Sequence, residues 1–362
     1  MDKILFYVSS LNRGGAERVL VAVMNYCKEK YEVVLVTDVY AEDEYELPAG
    51  VRRICLTDTN RYSSNRYVAM VQRILAIRKV CVAEKAALGV AFMSTSGIRL
   101  ETATKFMKMK TAIAIRNNPE YDLRQKKRRR QLLSAMHTTD AVIFQMASQQ
   151  EYFDEDIRRK SFVILNPVNE RFCNVKPPEC RSNKIVTVGR LFDYKNHKLL
   201  IQAFADVREN YPDVQLYIYG EGPYRAETER LIQELQLEER VFLPGAETDV
   251  AERIKDARIF VLPSDTEGMP NTLIEAMILG LPVISTDCPC GGPRTLIEHG
   301  NNGLLVPMND RVAMAKALDM LLADKEYAER LGKQAKQLIN LCNEEAIKKQ
   351  WLFFVEKMLE TK

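Results

Sequence analysis

The stretch Thr266-Glu267-Gly268-Met269-Pro270-Asn271-Thr272-Leu273-Ile274-Glu275 decides how the second half of this 362-residue chain folds. An apolar run at 259–262 precedes it and predicts a buried strand, and residues 274–279 after it predict a helix. The stretch is therefore predicted to be a turn from a strand into a helix. Such turns are the repeating unit of α/β proteins that contain a parallel sheet.

The turn has the composition of an anion-binding loop. Gly268 gives it a flexible backbone position, Pro270 gives it a fixed one, and Asn271 is a candidate N-cap for the helix. The amides of Asn271, Thr272 and Leu273 would then point out of the helix N-terminus. Partial positive charge at that end of a helix favours the binding of phosphate.

Two carboxylates flank this turn. Glu267 precedes the helix N-terminus and Glu275 lies inside the helix, so their eight-residue spacing corresponds to about 12 Å of helix. That distance is comparable to the reach from a hexose across a diphosphate to a ribose, and carboxylates accept hydrogen bonds from sugar hydroxyls. The alternative is an ordinary α/β turn with two glutamates on its surface.

The length and composition indicate a soluble protein with two domains. The chain is too long for one ordinary core, and 46% of its residues are hydrophobic while 28% are charged. It has no apolar run of about 18 residues, and its N-terminal segment is too short and acidic for a signal peptide, so we expect a cytoplasmic protein. The eight cysteines and three histidines lack zinc-site spacing, and we expect neither a disulfide framework nor a metal.

The net charge of +3 is unevenly distributed along the chain. Residues 1–176 hold 29 Lys and Arg against 20 Asp and Glu, whereas the remaining residues hold 23 against 29. A basic first half can face anionic lipid, nucleic acid or a phosphorylated substrate. A proline-containing linker near residue 176 predicts domains at 1–176 and 177–342, and we expect a final helix at 343–362 to pack back on the first domain.

In the first half, apolar strand-like runs alternate with helical patterns, which predicts a parallel sheet with helices on both faces. Gly14 and Gly15 follow the first run. Adjacent glycines let the backbone approach a ligand closely, but they also occur in ordinary tight turns. Arg116 and Asn117 follow the strand predicted at 111–115, at the sheet edge where such folds bind ligands.

Two basic segments lie in the first half. Residues 61–85 have helical spacing, with Arg66, Arg73, Arg78 and Lys79 among the polar positions. Their apolar side contains Val68, Val71, Leu75 and Val82. Such a helix can lie on an anionic membrane, bind phosphates, or be a solvated surface helix. The five cations at 126–130 point around a helix and indicate attraction to an anionic surface, while the scarcity of aromatic residues between them disfavours nucleic-acid binding.

The second half repeats the strand-loop-helix pattern. Arg190 and Lys195 lie five residues apart just beyond a strand predicted at 185–188. The forked donors of arginine and the point charge of lysine suit a diphosphate, although two unrelated surface cations are the alternative. Two more turns that contain glycine follow later strands. Their candidate ligand-binding residues are Gly220, Glu221, Gly222, Leu243 and Gly245.

The chain resembles the GT4 family of retaining glycosyltransferases, which have the GT-B fold. The resemblance covers nearly the whole chain and rests on loose motifs that occur in a specific order. These motifs are Gly14-Gly15-Ala16-Glu17, Asn166-Pro167-Val168, Gly189-Arg190 through Lys195, Gly220-Glu221-Gly222, the Glu267 and Glu275 pair, and Gly300 through Pro307. The resemblance implies an α/β protein with two facing Rossmann-like domains.

The resemblance also implies that the second domain binds a nucleotide-sugar donor and the first domain an acceptor. Arg190 and Lys195 would bind the donor diphosphate and stabilise the charge that builds on the leaving nucleotide. Glu267 would bind the transferred sugar and Glu275 the ribose hydroxyls. Further donor contacts are implied for Gly14, Gly15, Gly220, Glu221, Gly222, Leu243, Gly245, Gly268, Met269, Pro270, Asn271, Thr272 and Leu273, and acceptor contacts for Arg116 and Asn117.

Because protein cations would neutralise the leaving group, the resemblance implies no metal and no other cofactor. Asp154 and Asp156 have the Asp-x-Asp spacing by which some sugar transferases hold a divalent metal, but they lie in a charged stretch, and we interpret them as surface charges. Retention in this family is attributed to attack on the same face of the sugar, without a protein nucleophile. Asn117 stands where many relatives carry histidine, and it can bind a sugar hydroxyl but cannot act as a base.

Relatives with the same opening and a segment like Cys288 to Pro293 often build bacterial surface polysaccharides or lipid-linked glycans. We therefore expect a peripheral enzyme at the inner face of the cell membrane. It would transfer a hexose or N-acetylhexosamine from a UDP-sugar to a saccharide on a polyprenyl diphosphate. The alternatives are a GDP-mannose-dependent transferase of the same fold and a non-catalytic partner subunit, which the presence of Arg190, Lys195, Glu267 and Glu275 disfavours.

Overall fold

The computed structural model describes residues 1–59 and 62–360. The chain divides into two compact units, the first formed by residues 1–167 with the C-terminal helix and the second by Val168–Glu344. Two parts of the sequence predictions lie outside the described residues, namely Arg61 at the start of the basic helix and residues 361–362 at the C-terminus.

The first unit is an α/β structure built on one parallel sheet. Its described strands are β1 (Lys3–Val8), β2 (Glu32–Thr37), β3 (Arg52–Cys55), β4 (Leu88–Phe92), β5 (Lys110–Ala114), β6 (Ala141–Phe144) and β7 (Ser161–Val163). Its helices are α1 (Gly15–Cys27), α2 (Leu56–Thr59), α3 (Arg66–Glu84), α4 (Ser94–Thr104), α5 (Pro119–Leu123), α6 (Lys126–Thr138), α7 (Ala147–Gln150) and α8 (Glu155–Arg159). The strands pair in the order β3-β2-β1-β4-β5-β6-β7.

The second unit has the same design. Its described strands are β8 (Lys184–Val188), β9 (Gln215–Tyr219), β10 (Val241–Gly245), β11 (Ile259–Leu262), β12 (Val283–Thr286) and β13 (Leu304–Val306). Its helices are α9 (Glu170–Cys173), α10 (His197–Val207), α11 (Arg225–Glu234), α12 (Val250–Ile254), α13 (Asn271–Ile278), α14 (Gly292–Leu296), α15 (Arg311–Ala323), α16 (Lys325–Ala335) and α17 (Ile339–Cys342). The strands pair in the order β10-β9-β8-β11-β12-β13.

Both sheets explain the apolar runs in the sequence. Helices cover both faces of a parallel sheet, so its strands are buried on both sides and contain few polar residues. All residues of β4, β6 and β11 are buried, for example. Strand β12 was not predicted, since half of it consists of the polar residues Ser285 and Thr286, although all four of its residues are buried.

The last helix, α18 (Glu344–Glu360), packs on the core of the first unit. Trp351 is fully buried, and its ring stacks on Phe92 with 5.9 Å between centroids. Phe354 meets Phe162 of β7 edge-to-face at 5.0 Å. These aromatic contacts bury much apolar surface and tie the end of the chain to the first sheet.

The division between the units falls after Pro167, whereas the sequence analysis placed it after Lys176. Helix α9 packs on α13, and the amide of Val168 donates a hydrogen bond to the carbonyl of Cys342 at 2.9 Å. Residues 168–176 therefore belong to the second unit. Among the described residues, no helix is both long enough and apolar enough to cross a bilayer.

Candidate functional site

The strand order of the second sheet reverses between β8 and β11. Chain connections leave β8 toward one edge of the sheet and β11 toward the other, which opens a crevice at their carboxyl ends where ligands bind. The loop after β8 carries Arg190 and Lys195, and the loop after β11 carries Glu267. The fold therefore brings together two of the motifs that the sequence analysis singled out separately.

Lys195 and Glu267 are in direct contact in this crevice. Lys195 Nζ donates to Oε1 of Glu267 at 2.6 Å, and the hydroxyl of Ser264 donates to the same oxygen at 2.7 Å. Their side chains are only 17% and 11% exposed. Low exposure strengthens the attraction between the charges and holds the carboxylate in one place, ready to accept a further hydrogen bond.

Two hydrogen bonds, one between backbone groups and one between side chains, hold the two loops against each other. The amide of Asp265 donates to the carbonyl of Tyr194 at 2.8 Å, and the side-chain amide of Asn196 donates to Oδ1 of Asp265 at 2.8 Å. Ser264, Asp265 and Asn196 were not singled out from the sequence. The position of Ser264 and Asp265 shortly after β11 was the available signal for these two residues, whereas Asn196 lies farther along the loop after β8.

Arg190 lies on the same loop as Lys195 and is exposed. Its guanidinium stacks over the ring of Phe192 at 4.9 Å, and Nη2 donates to the hydroxyl of Tyr194 at 3.3 Å. The aromatic contacts hold the cation without neutralising it. Arg190 therefore keeps its positive charge available at the surface of the site.

The glycine turn after β9 packs under this loop. A Cβ on Gly222 would lie 2.3 Å from the carbonyl oxygen of Leu191, and one on Gly220 would lie 2.0 Å from that of Gly189. Only glycine permits these approaches. Glu221 is paired with Arg225 at 2.5 Å, and Arg225 also donates to the carbonyl of Leu243 at 3.1 Å.

Gly245 ends β10 with a φ of +92°, and its carbonyl accepts a hydrogen bond from the amide of Gly220 at 2.8 Å. The predicted residues in the loops after β8 and β9 and in β10 thus form one contiguous edge. Strand β10 contributes backbone groups there, since the side chain of Leu243 packs against the core of the unit.

The predicted anion-binding turn differs from expectation in two respects. Helix α13 begins at Asn271, and Pro270 occupies the cap position with no side-chain cap hydrogen bond, so Asn271 is not the N-cap. The amide of Leu273 donates to the carbonyl of Pro270 at 3.1 Å, which engages one of the three amides expected to face a ligand. The amide of Ile274 donates to the same carbonyl at 3.2 Å.

Glu275 lies one turn inside α13 and is 5% exposed, whereas Thr272 and Gly268 are partly exposed. Met269 is buried beneath the turn. The two predicted carboxylates therefore have different environments. Glu267 faces the crevice beside Lys195, whereas Glu275 is buried on α13.

The loop after β12 supports the turn from behind. The amide of Glu267 donates to the carbonyl of Pro289 at 3.2 Å, and Sγ of Cys290 lies 3.6 Å from the carbonyl oxygen of Glu267. A Cβ on Gly292 would lie 1.8 Å from the carbonyl oxygen of Gly268. Burial raises the pKa of the neighbouring Cys288 thiol to about 12, so that thiol stays neutral. The sequence analysis used this segment only for its resemblance to relatives.

A pocket of about 400 Å³ opens on the second unit beside the Lys195 loop. Asp193, Asn196, His197 and Asp265 contribute to its lining, whereas neither Lys195 nor Glu267 does. Burial lowers the pKa of His197 to about 4, with a smaller contribution from the charge of Lys195, so the imidazole is neutral at physiological pH. The pocket therefore borders the predicted site without containing its charged pair.

In the first unit, Gly14 caps α1 and Gly15 is its first residue. They lie on the loop after β1, and the order of this sheet reverses between β1 and β4. The two glycines therefore lie at the carboxyl edge of the first sheet, beside the point where its strand order reverses.

Arg116 and Asn117 follow β5 on this sheet but have different environments. Arg116 is buried, and its guanidinium lies 5.1 Å from the ring centroid of Phe92 and 5.2 Å from that of Trp351. Desolvation lowers the pKa of Arg116 to about 9. Asn117 is partly exposed and donates to Oδ2 of Asp122 at 3.3 Å. In this arrangement Asn117 is the more accessible of the two residues.

Asp122 is fully buried and organises this edge, although no sequence pattern pointed to it. Its Oδ1 pairs with Nε of Arg128 at 2.6 Å, and its Oδ2 accepts from the hydroxyl of Ser94 at 2.6 Å. Arg128 belongs to the run of five cations at 126–130. That run was expected to point only around the helix surface, but Arg128 turns inward to the carboxylate while the other four are exposed.

His137, Asp154 and Asp156 form an exposed group on the first unit. Nε2 of His137 lies 3.1 Å from Oδ2 of Asp154, and one possible ligand atom from each residue lies within 4.8 Å of the others. Asp154 also caps α8 by accepting from the amide of Ile157 at 3.2 Å. The cap explains the position of Asp154 without a metal.

A family model described as "Glycosyl transferases group 1" matches residues 168–338, nearly the whole of the second unit. The second unit belongs to this glycosyltransferase family. A Campylobacter jejuni relative is named "GalNAc-alpha-(1->4)-GalNAc-alpha-(1->3)-diNAcBac-PP-undecaprenol alpha-1,4-N-acetyl-D-galactosaminyltransferase". It is 27% identical to this glycosyltransferase over 365 residues, which cover 99% of each chain.

Solved structures support the same fold for this glycosyltransferase. HepE of Anabaena, solved with UDP, superposes with a TM-score of 0.81 at 18% identity over 99% of this chain and 100% of its own. Sucrose-phosphate synthase of Thermosynechococcus elongatus superposes with a TM-score of 0.83 at 21% identity over the full length of both chains. The two Rossmann-like units are thus those of the GT-B fold. The family match and the full-length relative identify an enzyme that transfers a sugar.

Proposed function

We propose that this glycosyltransferase moves a hexose or N-acetylhexosamine from a UDP-sugar to a lipid-linked saccharide, with retention of anomeric configuration, in surface polysaccharide synthesis. The observation that carries the proposal is the contact between Lys195 and Glu267 at the reversal point of the second sheet. It sets a cation for the donor diphosphate against a carboxylate for the donor sugar, within one crevice.

The cations of the β8 loop would bind the donor diphosphate. Arg190 is exposed and carries forked donors, and Lys195 supplies a point charge from a less exposed position. As the bond between the anomeric carbon and the phosphate oxygen breaks, negative charge builds on the leaving nucleotide. Fixed cations stabilise that charge more in the transition state than in the ground state, which accelerates the reaction.

The carboxylates and the backbone would orient the rest of the donor. Glu267 would accept hydrogen bonds from hydroxyls of the transferred sugar and Glu275 from those of the ribose. Backbone groups of the following residues of the second unit would complete the donor site: Gly220, Glu221, Gly222, Leu243, Gly245, Gly268, Met269, Pro270, Asn271, Thr272 and Leu273. Asn117 would contact the acceptor, and the buried Arg116 would support its loop.

Retention would follow from attack on the face that the nucleotide leaves. The acceptor oxygen would bond to the anomeric carbon as the carbon–oxygen bond to phosphate breaks, and its proton would pass to the leaving phosphate oxygen. This route needs no protein nucleophile, and the cations replace a metal in neutralising the leaving group. We therefore expect transfer to be unaffected by EDTA and the product to keep the donor's anomeric configuration by NMR spectroscopy.

UDP is the proposed nucleotide because structural neighbours at full coverage were solved with it. HepE of Anabaena was solved with UDP and with UDP-glucose, and TarM of S. aureus was solved with UDP. These likenesses at 16–18% identity establish the fold alone, so the nucleotide is part of the proposal.

The lipid-linked acceptor is proposed from relatives and from charge. Two Campylobacter jejuni relatives, 27% and 26% identical over nearly the full chain, are named for undecaprenol diphosphate-linked substrates. The positive excess in residues 1–176 suits an acceptor whose diphosphate lies at an anionic membrane surface. We propose a cytoplasmic enzyme that works peripherally at the inner face of the cell membrane.

Calorimetric titration with UDP and GDP tests the donor site. We expect UDP to bind and GDP to bind more weakly, and we expect Arg190→Ala to weaken UDP binding at least about tenfold. Arg330→Ala is the matched control, because Arg330 is also an exposed arginine of the second unit stacked on an aromatic ring, that of Tyr327 at 5.1 Å. Preference for GDP would point to a mannose-type donor, and binding of neither nucleotide would favour a non-catalytic subunit.

Acceptor assays test the membrane part of the proposal. Transfer to a polyprenyl diphosphate-linked saccharide in vesicles should exceed transfer to the same saccharide without lipid. Equal rates on the two acceptors would contradict a lipid-linked substrate and leave the donor chemistry intact.

A further inference from the structure

Helix α3 has an apolar side that faces solvent. Val68, Val71, Leu75 and Val82 are 47%, 53%, 54% and 56% exposed. Their spacing of three, four and seven residues places them on one line along the helix. We call these four residues the α3 face. Contiguous exposed apolar residues of this kind mark surfaces that bind a partner or a membrane.

The α3 face is not needed to attach the helix to the protein. Ala76, Ile77 and Cys81 on the opposite side of α3 are buried and belong to the core beneath the first sheet. The helix is therefore apolar on two sides, of which only one is used for folding. A surface helix that served folding alone would carry polar residues on its outer side.

Two arginines of α3 point away from the α3 face. The guanidinium of Arg73 stacks over Tyr62 at 4.8 Å, and its Nε lies 3.8 Å from Oδ1 of the buried Asp38. Nη1 of Arg78 donates to the carbonyls of Ala103 and Lys105, at 2.8 Å and 3.0 Å. Arg78 thereby fixes the loop after α4 beside the C-terminal part of α3.

That loop presents a second apolar group. Phe106 is 93% exposed and adopts a left-handed φ of +67°, which is unusual for a bulky residue. Lys105 Nζ lies 5.2 Å from the centroid of the Phe106 ring. Lys108, two residues further along the loop, lines the same shallow pocket as Val82. An exposed aromatic ring between lysines is typical of residues that insert at a lipid interface.

Cations surround both apolar features. Arg66 and Lys127 both lie near the ring of Tyr67, at 5.3 Å and 5.7 Å from its centroid. Lys79 is exposed one turn from Leu75, and the only carboxylate within α3, Glu84, is paired with Lys3 and Arg52. Lys105 and Lys108, beside Phe106, are exposed as well. The exposed charges on α3 and on the loop of Phe106 are therefore mainly positive.

We propose that the α3 face and Phe106 dock this enzyme on an anionic phospholipid bilayer. The apolar side chains enter the boundary between headgroups and acyl chains, and the surrounding cations attract the lipid phosphates. Apolar residues alone would equally suit a protein partner. The surrounding cations select the lipid surface, because a bilayer supplies a continuous layer of negative charge around any inserted group. The inference deepens the proposed function, since it assigns the surface by which the enzyme reaches a lipid-linked acceptor.

Vesicle flotation tests this surface. We expect the wild-type protein to float with vesicles of phosphatidylcholine and phosphatidylglycerol, and to do so less with phosphatidylcholine alone or at high salt. Val71→Glu with Leu75→Glu should lower the partition coefficient at least about tenfold, and each of Lys79→Gln and Lys105→Gln about fivefold. The matched control is Val312→Glu with Leu341→Glu, which adds the same charge at residues 76% and 60% exposed on the second unit. Because the control changes the net charge by the same amount, its partition coefficient should fall less than that of Val71→Glu with Leu75→Glu.

Three outcomes would overturn the proposal: no binding of the wild-type protein to anionic vesicles, equal loss in the test and control variants, or a concentration-dependent dimer in light scattering that Val71→Glu with Leu75→Glu abolishes. UDP titration of each variant shows that the second unit is intact. Vesicle binding without any sugar transfer would leave the docking surface standing and reject the proposed function. If Val71→Glu with Leu75→Glu changed neither vesicle binding nor transfer to the lipid-linked acceptor, the docking surface would be rejected and the proposed function would stand.

Discussion

The ammonium of Lys195 lies 2.6 Å from Oε1 of Glu267, although 72 residues separate them in the sequence. Each side chain therefore partly neutralises the other before any ligand binds. A diphosphate must share Lys195 with this carboxylate, and a sugar hydroxyl must share Glu267 with this ammonium. Nucleotide affinity and transfer should consequently respond in opposite directions when Glu267 loses its charge.

We predict that Glu267→Gln binds UDP about threefold to tenfold more tightly than the wild type, because Lys195 regains its full charge for the diphosphate. Transfer should fall by about a hundredfold or more, since the amide no longer orients the sugar in the transition state. Titration calorimetry and single-turnover rates measure the two effects. Glu326→Gln, at an exposed position of the same unit, is the control.

Lys195→Met supplies the opposite half of this comparison. It should weaken UDP binding by roughly 1.5–3 kcal/mol, the cost of a lost hydrogen bond to a charged group. UDP binding that weakens in both Glu267→Gln and Lys195→Met would show that the pair acts as one structural unit rather than as two ligands.

The close packing of Gly292 against the turn that contains Glu267 predicts how two glycine substitutions change the free energy of unfolding. A Cβ on Gly292 would meet the carbonyl oxygen of Gly268 at 1.8 Å, whereas one on Gly189 would have no atom nearer than 3.6 Å. Gly292→Ala should therefore lower the free energy of unfolding by about 3 kcal/mol, and Gly189→Ala by less than about 1 kcal/mol. Thermal unfolding followed by circular dichroism compares them. Equal stabilities would mean that the loop after β12 shifts freely.

Much of the fold could be predicted from the sequence because parallel strands are buried on both faces and read as short apolar runs. The placement of Arg190, Lys195 and Glu267 after strand ends followed from the same pattern. The pattern of apolar runs missed strand β12, because Ser285 and Thr286 are polar residues that are hydrogen-bonded in the core. The contact between Lys195 and Glu267 needed the sheet order, which the sequence pattern does not contain.

Other features could not be predicted because they depend on tertiary packing. Periodicity identified the apolar side of α3 but assigned it no direction, and the helix turns that side outward because a second apolar side serves the core. Arg116 looked like a surface ligand after a strand, yet the C-terminal helix brings Trp351 over it from the far end of the chain. Asn271 resembled an N-cap, but Pro270 occupies the cap position and Asn271 is the first residue of the helix.

His197 predicts a pH dependence of stability. Burial lowers its pKa from 6.5 to about 4, so the folded state keeps it neutral while the unfolded chain binds a proton below pH 6.5. Because the unfolded state binds more protons in this window, stability falls as the pH is lowered from about 6.5 to about 4. The loss attributable to His197 is about 3 kcal/mol.

Scanning calorimetry across this pH range tests the assignment. His197→Gln should flatten the profile of unfolding free energy against pH relative to the wild type, while His299→Gln, at an exposed position, should not. A profile unchanged by His197→Gln would assign the acid sensitivity to carboxylates instead.

Arg116 provides the sharpest contrast in the first unit. Its guanidinium is buried between Phe92 and Trp351, and within the described residues its Nε and Nη2 lack hydrogen-bond partners. Methionine has a similar length and fills the same space without a charge, so Arg116→Met should raise the free energy of unfolding by about 1–3 kcal/mol. Arg128→Met should lower it by about 3 kcal/mol, because it leaves the buried Asp122 carboxylate without its cation. Denaturant titration followed by the fluorescence of Trp351, the single tryptophan of the chain, reports on this unit. Destabilisation by Arg116→Met would show instead that the attraction between the guanidinium and the two rings outweighs its desolvation.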